Sequence, residues 1–275
     1  PASGGCPQRQ PRGGAAPDRS DLKALAEAAR LRAREIKASH VGFVIGPRIN
    51  ASGRMSSALT ALRLLLTSNE REAESLAGIL EVENRLRRDE EKRVTDQAVH
   101  EVEKSVNFAK DRILVAAKEG WHAGVVGIAA SRLVDRYHRP ALVIALENGK
   151  GKGSGRSIKS FHLFNALDSA RKHFTEFGGH EQAVGFSLEE SKIVDLRRAL
   201  NEYAHQNYSP ETFLKKVQID LEMSLSGLTP QFLKPLELLE PFGLGNPKPV
   251  FLTRGLFLRT TPLKENSKGY KNRSW

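Results

Sequence analysis

Apolar positions recur at helical spacing through DLKALAEAARLRAREIK, residues 21–37, and Ser20 or Asp21 is available as N-cap, so a helix is predicted there. The next segment, SHVGFVIGPRINASGRM, breaks that period. Its short apolar run at 41–45 predicts a strand, and the polar, basic residues after Gly46 and Pro47 predict a loop. A second helix is expected over 56–66. From Glu70 to about Asn107 runs a long charged stretch without proline. Leu76, Leu80, Leu86, Val94, Ala98, Val102 and Val106 mark a broken stripe on it, mostly in steps of four. A helix of that length would reach roughly 55 Å and is of the kind that connects two domains.

Beyond Asp111 the pattern changes to strands alternating with helices. RILVAA, PALVIALE and AVGFSLE predict strands, with GSGRS a further candidate, while GVVGIAASRLVDRYH, FNALDSARKHF and residues 193–206 predict helices. Strands separated by ten- to fifteen-residue helices indicate an α/β layer fold over about 111–208. After Ser209 and Pro210, VQIDLEMSL and PVFLTRGLFLR predict strands around an amphipathic piece, QFLKPLELLEP, as at the start of a small β-rich module. The final PLKENSKGYKNRSW is aperiodic and is expected to be a tail. The first twenty residues are expected to be a disordered leader, or a sign that the natural N-terminus lies elsewhere.

Composition narrows the partners. The chain has 275 residues and 39% hydrophobic positions, enough for one sizeable core or two modest ones. Forty-three Lys and Arg against 32 Asp and Glu leave a formal charge of +11, which favours a polyanion, with nucleic acid ahead of an anionic membrane. Cys6 is the single cysteine, so neither an internal disulfide nor a cysteine-based zinc site is available, and a reducing, cytoplasmic setting is expected. No apolar run reaches the length that spans a bilayer.

Four stretches carry candidate chemistry. In NGKGKGSGRSIK, glycines alternate with Lys150, Lys152, Ser154 and Arg156, which suits either a phosphate site or a flexible basic hairpin turn. In EFGGHEQAVGF, Gly178 and Gly179 place His180 on a tight loop at a strand entrance, where its imidazole could bond a phosphate or move a proton, or serve only the turn. In KEGWHAGVVGIAASRL, Trp121 and His122 precede a small-residue helix start able to receive an anion, the alternative being packing of Trp121 on a sheet. In GPRINASGR, Arg48, Asn50 and Arg54 could track phosphates and Ser52 could cap the following helix, or the loop is simply solvated. No Asp-His-His, Asp-x-Asp or HExxH occurs, so no complete metal site can be read from the chain.

GPRINASGRM, GWHAGVVGIAASRL, GKGSGRS, EFGGHEQAVGF and LEPFGLGNPKPVF stand in the order found in RecJ, the single-stranded-DNA-specific 5′→3′ exonuclease family of the DHH/DHHA1 phosphoesterases, and the chain resembles that family over about 38–259. The resemblance implies an α/β fold: a DHHA1-type mixed sheet with flanking helices, preceded by a long connecting helix and followed by the start of an oligonucleotide-binding (OB) module. It divides the chain into a leader (1–20), the end of a DHH domain (21–66), a connecting helix (67–107), a DHHA1 domain (108–208), an incomplete OB-like domain (215–259) and a tail (260–275). It implies that His180 supports catalysis from the cleft, and that Arg48, Asn50, Arg54, His122, Ser154, Gly155, Arg156, Ser157, Gly178 and Gly179 bind substrate phosphates. No metal ligand is expected in this chain; Mn2+ or Mg2+ is implied for the full-length enzyme, whose metal-binding motifs lie upstream. The implied partners are single-stranded DNA and possible companions in the missing DHH half, a helicase or a single-strand-binding protein. The alternatives are a noncatalytic single-strand-binding subunit and a small oligonucleotide or cyclic-dinucleotide phosphodiesterase.

Overall fold

The computed structural model describes residues 19–31, 36–243 and 245–257, with the backbone of 263–265 and 271–273. The expected leader lies outside the described residues up to residue 18, as do residues 32–35 of the first expected helix. The chain divides into two units, Pro1–Lys215 and Lys216–Trp275.

In the first unit, α1 (Ser20–Ala28) begins beside Arg19, whose guanidinium grips the buried Asp21 carboxylate at 2.6 Å, and ends where Arg30 turns to φ 56°. The following α2 (Ala38–His40), a π-helical turn (Val41–Ile45) and α3 (Gly46–Met55) form one helical run. This corrects the expected strand and loop. Ile45, Arg48, Ala51 and Ser52 are buried at helical spacing while Val41 and Phe43 stand exposed, and Pro47, directly after the π-helical turn, leaves the run one amide hydrogen bond short. Ser52 is therefore inside a helix, donating to the Ile49 carbonyl at 3.2 Å, and caps nothing downstream.

Helices α4 (Leu59–Leu66) and α5 (Glu70–Ser105) follow, and the Asn69 side chain caps α5 by accepting the Glu72 amide at 3.1 Å. The long helix carries two cores in succession. Ala73, Leu76, Ala77 and Leu80 pack with Leu25, Ile45 and Leu64; Val94, Ala98 and Val102 pack with Leu114, Ala129 and Val143. Between them the stripe is polar: Leu86 is 53% exposed, and Asn84 and Arg87 face inward instead. Arg87 donates to Asn84 at 3.2 Å and to Glu91 at 2.6 Å, and Glu91 also takes Arg132 at 2.9 Å. The helix is thus docked along its length by packing and ion pairs, and is not a bare connector.

The α/β part runs β1 (Leu114–Glu119), α6 (Val126–Tyr137), β2 (Ala141–Glu147), β3 (Lys150–Arg156), α7 (Leu163–Ser169), β4 (Glu176–His180), β5 (Ala183–Glu189) and α8 (Ile193–Asn207). The five strands order as β1-β2-β3-β5-β4, with β1 parallel to β2 and the remaining pairs antiparallel. A parallel pair needs a crossover, which α6 supplies. Helices α7 and α8 cover one face through Leu163, Leu167, Leu196 and Leu200. On the other, α5 and α6 cover the β1, β2 and β3 side, leaving Gly185, Gly178 and His180 exposed on β5 and β4. The buried Asn201 of α8 pins the start of β1, accepting the Arg112 and Ile113 amides at 2.7 and 3.0 Å.

The glycine-rich stretch is β3 itself, not a loop. The turn before it is made by Asn148 and Gly149, at φ 51° and 73°, the backbone a two-residue hairpin demands. Along β3 the glycines face the core: a Cβ on Gly153 would come within 2.3 Å of the Phe186 ring, and one on Gly151 within 2.7 Å of Ile144. EFGGH likewise forms β4 rather than a turn.

In the second unit, β6 (Leu221–Glu222) pairs in parallel with β7 (Phe251–Leu252), and α9 (Pro230–Leu233) leads into a 3-10 turn over Lys234–Leu239. The Phe232 ring meets Phe251 edge-on at 5.5 Å, and Asp220 accepts the Val250 amide at 2.8 Å. The strands are shorter than the apolar runs suggest: Val217, Ile219 and Leu221 stay exposed, and among the described residues the β6–β7 ladder is two strands wide. In the expected tail, β8 (Leu263–Glu265) and β9 (Lys271–Arg273) pair antiparallel.

Gly153→Ala is expected to destabilise the first unit by about 1–3 kcal/mol, because the added methyl overlaps a packed phenyl ring. Urea denaturation reads this directly. An unchanged midpoint would show that Phe186 can move aside and that β3 and β5 are less tightly packed than described.

Candidate nucleic-acid interface

The register of the three exposed-side strands builds a small grid. Directly paired residues share a face in an antiparallel ladder. One row is therefore Arg156, Ala183 and His180; the next is Ser154, Gly185 and Gly178; the third is Lys152, Ser187 and Glu176. The alternation along β3 sends its glycines to the core and its polar side chains to this face. The middle row is nearly bare backbone. A Cβ at Gly178 or Gly185 would meet nothing within 4 Å, so neither glycine is demanded by packing. Above them lies a cavity of about 330 Å³, lined by Ala123, Val126, Lys152, Ser154 and the two glycines, among others.

Helix α6 borders this floor with its positive end, and no side chain caps it. Its Gly127 gives way to β3: a Cβ there would approach the Arg156 guanidinium to 2.9 Å and the Ser154 side chain to 3.4 Å. Arg156 is half-buried in that gap and donates to the Gly155 carbonyl at 2.8 Å. Burial first, and the neighbouring Arg54 cation second, push its pKa below the ordinary arginine value. Among the described residues no carboxylate pairs with Arg156 or Arg54. Two cations and a helix N-terminus thus converge without a counter-ion, which an anion would relieve.

Arg54 enters from α3, donating to the Gly124 carbonyl at 3.1 Å. The backbones meet so closely that a Cβ on Gly124 would stand 2.3 Å from the Arg54 carbonyl oxygen. His122 is exposed, its Nδ1 accepting the Gly124 amide at 3.0 Å, on the rim of a wider cavity of about 1450 Å³. The neighbouring Trp121 is buried and donates to Gln97 at 2.8 Å, so packing is its role. This loop is tied to α5: Arg93 donates to the Gly120 carbonyl at 2.7 Å and to Glu90 at 2.6 Å. The Arg93 guanidinium holds the Glu90 carboxyl below the usual carboxylate range, and the His122 backbone adds to that.

His180 is exposed at the end of β4, its Nδ1 accepting the Gln182 amide at 3.3 Å. A neutral ring accepting there carries its proton on Nε2, free to donate. Asn50 is exposed on α3 and shares a shallow hollow with Gly53, Arg54 and Leu62.

Four expected contacts fall elsewhere. Arg48 is buried and bonded to Glu81 and to the Val44 carbonyl, both at 2.6 Å, so it ties α3 to α5 and faces no groove. Gly155 faces the core, where a Cβ would strike Val184 at 2.7 Å and Leu163 at 2.9 Å. The Ser157 hydroxyl donates to the Phe161 carbonyl at 2.7 Å and its amide to Gln182 at 3.0 Å. Gly179, at φ 142°, closes the β4–β5 hairpin, since a Cβ would lie 2.2 Å from the Ala183 oxygen. Gly127 and Gly185 were missed by the sequence reading. Period-two alternation counted through AVGFSLE and matched to KGKGSGR would have found Gly185 opposite Ser154.

Among the described residues, no group of three or more His, Cys, Asp or Glu is placed to hold a metal ion, and no helix is long and apolar enough to cross a membrane.

The fold and this site define a DHHA1-domain protein: the DHHA1 domain family matches residues 110–206, and the RecJ OB domain matches 219–272. Over this region the chain belongs to the RecJ family. It is 40% identical over 220 residues to the single-stranded-DNA-specific exonuclease RecJ of Bacillus subtilis, covering 79% of this chain and 28% of that protein. RecJ of Escherichia coli is 35% identical over 241 residues, covering 85% and 42%. The crystal structure of RecJ in complex with Mg2+ from Thermus thermophilus matches with a TM-score of 0.73 at 35% identity, over 85% of this chain and 36% of that one. A second Thermus structure holds Mn2+. The chain thus spans less than half the length of these relatives and aligns with their C-terminal part.

Gly185→Ala should leave stability unchanged or raise it by about 0.4–1 kcal/mol, since a β-strand glycine without close neighbours gains from a methyl. The same methyl would stand in the cavity and weaken ligand binding. Thermal unfolding beside an oligonucleotide titration separates the two, and intact binding would show that nothing lies on the glycine floor.

Proposed function

We propose that this chain supplies the DNA- and phosphate-gripping half of a RecJ-type single-stranded-DNA exonuclease, acting 5′→3′ as the family resemblance implies. The observation that carries the reading is the Arg54–Arg156 pair. Two guanidiniums that have no carboxylate partner among the described residues meet at the start of α6, with Ser154 beside them and a bare backbone floor adjoining. Arg156 and Ser154 hold a phosphodiester oxygen at the sheet, Arg54 closes on it from α3, and the exposed His180 and His122 add donors to the same substrate. An Arg fork grips phosphate oxygens in pairs, and the low dielectric around a half-buried guanidinium strengthens the contact.

The solved relatives hold Mg2+ or Mn2+, ions that activate water and stabilise an in-line displacement at phosphorus. The described residues offer no donor set that fits such an ion. Binding, orientation and electrostatic support are therefore what these residues contribute, and hydrolysis by this chain alone is not expected. Manganese-dependent release of nucleotides by the purified chain, free of host nuclease, would contradict that division of labour.

The supporting experiment is fluorescence anisotropy with a labelled 5′-phosphorylated single strand and the matching duplex across a salt series. Single-strand preference with a steep salt slope is expected. Arg156→Ala should weaken single-strand binding by roughly 1–3 kcal/mol and flatten the slope. Equal, weak binding to both forms would mean that the overall +11 charge acts without a site.

A further inference from the structure

The outward row of β3 continues past the clamp. Lys150, Lys152, Ser154 and Arg156 alternate with the core-facing glycines, so successive outward side chains stand about 6.8 Å apart along the strand. That spacing is comparable with the separation of neighbouring phosphates along an extended single strand. Lys152 lines both the 330 Å³ cavity over the glycine floor and the wider one of about 1450 Å³. It therefore borders both. Its side chain is exposed, and among the described residues no carboxylate lies within ion-pair distance of it. Across the sheet it faces Ser187; the next acidic group, Glu176, is a further strand away and accepts the Ser187 hydroxyl at 3.0 Å.

Lys150 differs. Its register partners are Glu147 on β2 and Glu189 on β5, so two carboxylates flank it. Asp89 and Glu90 also line the wide cavity beyond. The positive track runs from Arg156 through Ser154 to Lys152 and stops there.

We infer that Lys152 is a phosphate-binding residue, taking the backbone phosphate next to the one held by Arg156 and Ser154, and that it marks the edge of this domain's grip on the strand. The inference rests on the phosphate clamp proposed above and extends it from one nucleotide to two. A mononucleotide would use the clamp alone, whereas an oligonucleotide would also engage Lys152.

The test is competition by 5′-phosphorylated thymidine oligomers of one to six nucleotides against a labelled single strand, using the whole chain and its Lys152→Gln, Lys152→Arg and Lys150→Gln variants. Wild type should show a step in affinity between one nucleotide and the short oligomers. Lys152→Gln should lose that step, weakening oligomers roughly two- to fivefold while leaving the mononucleotide unchanged, as fits one exposed charge contact. Its salt slope should shrink by about 0.7, the contribution of one phosphate on a single strand. Lys152→Arg should restore both, and Lys150→Gln should match wild type. If wild type shows the step and Lys152→Gln keeps it, or Lys150→Gln loses as much, the Lys152 assignment fails and the clamp stands. If wild type binds no oligomer in preference to duplex, the clamp and the Lys152 assignment fall together.

Discussion

The Phe186 ring lies where any side chain on Gly153 would have to stand, and the rest of the site depends on that contact. With Ile144 and Leu188 closing on Gly151, and Val184 and Leu163 on Gly155, the inner edge of β3 has room for backbone only. Large residues on β5 and none on β3 let the two strands share one tight core under α7 and α8. The cost in strand propensity falls on three glycines, and the return is a rigid strand whose other face can be given over to Lys152, Ser154 and Arg156. A loop of the same composition would hold those groups far less firmly.

The second constraint is the approach of α3 to α6. Gly124 lets the Arg54 carbonyl lie against the loop before α6, and Gly127 lets Arg156 lie under its first turn. Small residues here set distances between backbones, and the charges follow. Helix α5 fixes the arrangement from behind: Arg48 and Glu81 hold α3, Arg93 and Glu90 hold the 120–122 loop, and Arg132 and Glu91 hold α6. One continuous helix thus sets the position of both walls of the cleft.

The net charge is unevenly used. Arg48, Arg87, Arg132 and Arg136 all face carboxylates and add little to the external field. Among the described residues Arg54 and Arg156 face none, and they sit beside the uncapped start of a helix. A field concentrated in that way favours an anion at one place, where a uniformly basic surface would only attract a polyanion in general. Glu147, Glu189 and Asp89 then bound the positive region on the side of the wide cavity.

Much of this was legible in the chain. Periodicity marked the long helix, β1, β2, β5 and α8, and Asn148–Gly149 is a hairpin signal that the structure uses. The ordered motifs pointed to the RecJ family and to the stretch in which Ser154, Arg156 and His180 lie. Local pattern misread 41–55, because an apolar run ending in glycine and proline reads as strand and loop until Ile45, Arg48 and Ala51 are seen buried on one helical face. It also reads Arg48 as a phosphate contact, since composition shows that a residue can grip a phosphate but not that Glu81 and the Val44 carbonyl already occupy it; the family resemblance adds Gly155 and Ser157, which the structure turns to the core and to the Phe161 carbonyl. The sequence by itself determined which residue types stand at alternate positions, and hence that β3 has an apolar-facing edge and a charged one. Only the tertiary structure decided which cations, among the described residues, remain without a carboxylate partner, because pairing depends on distances between segments far apart in the chain, such as Arg48 with Glu81 or Arg132 with Glu91.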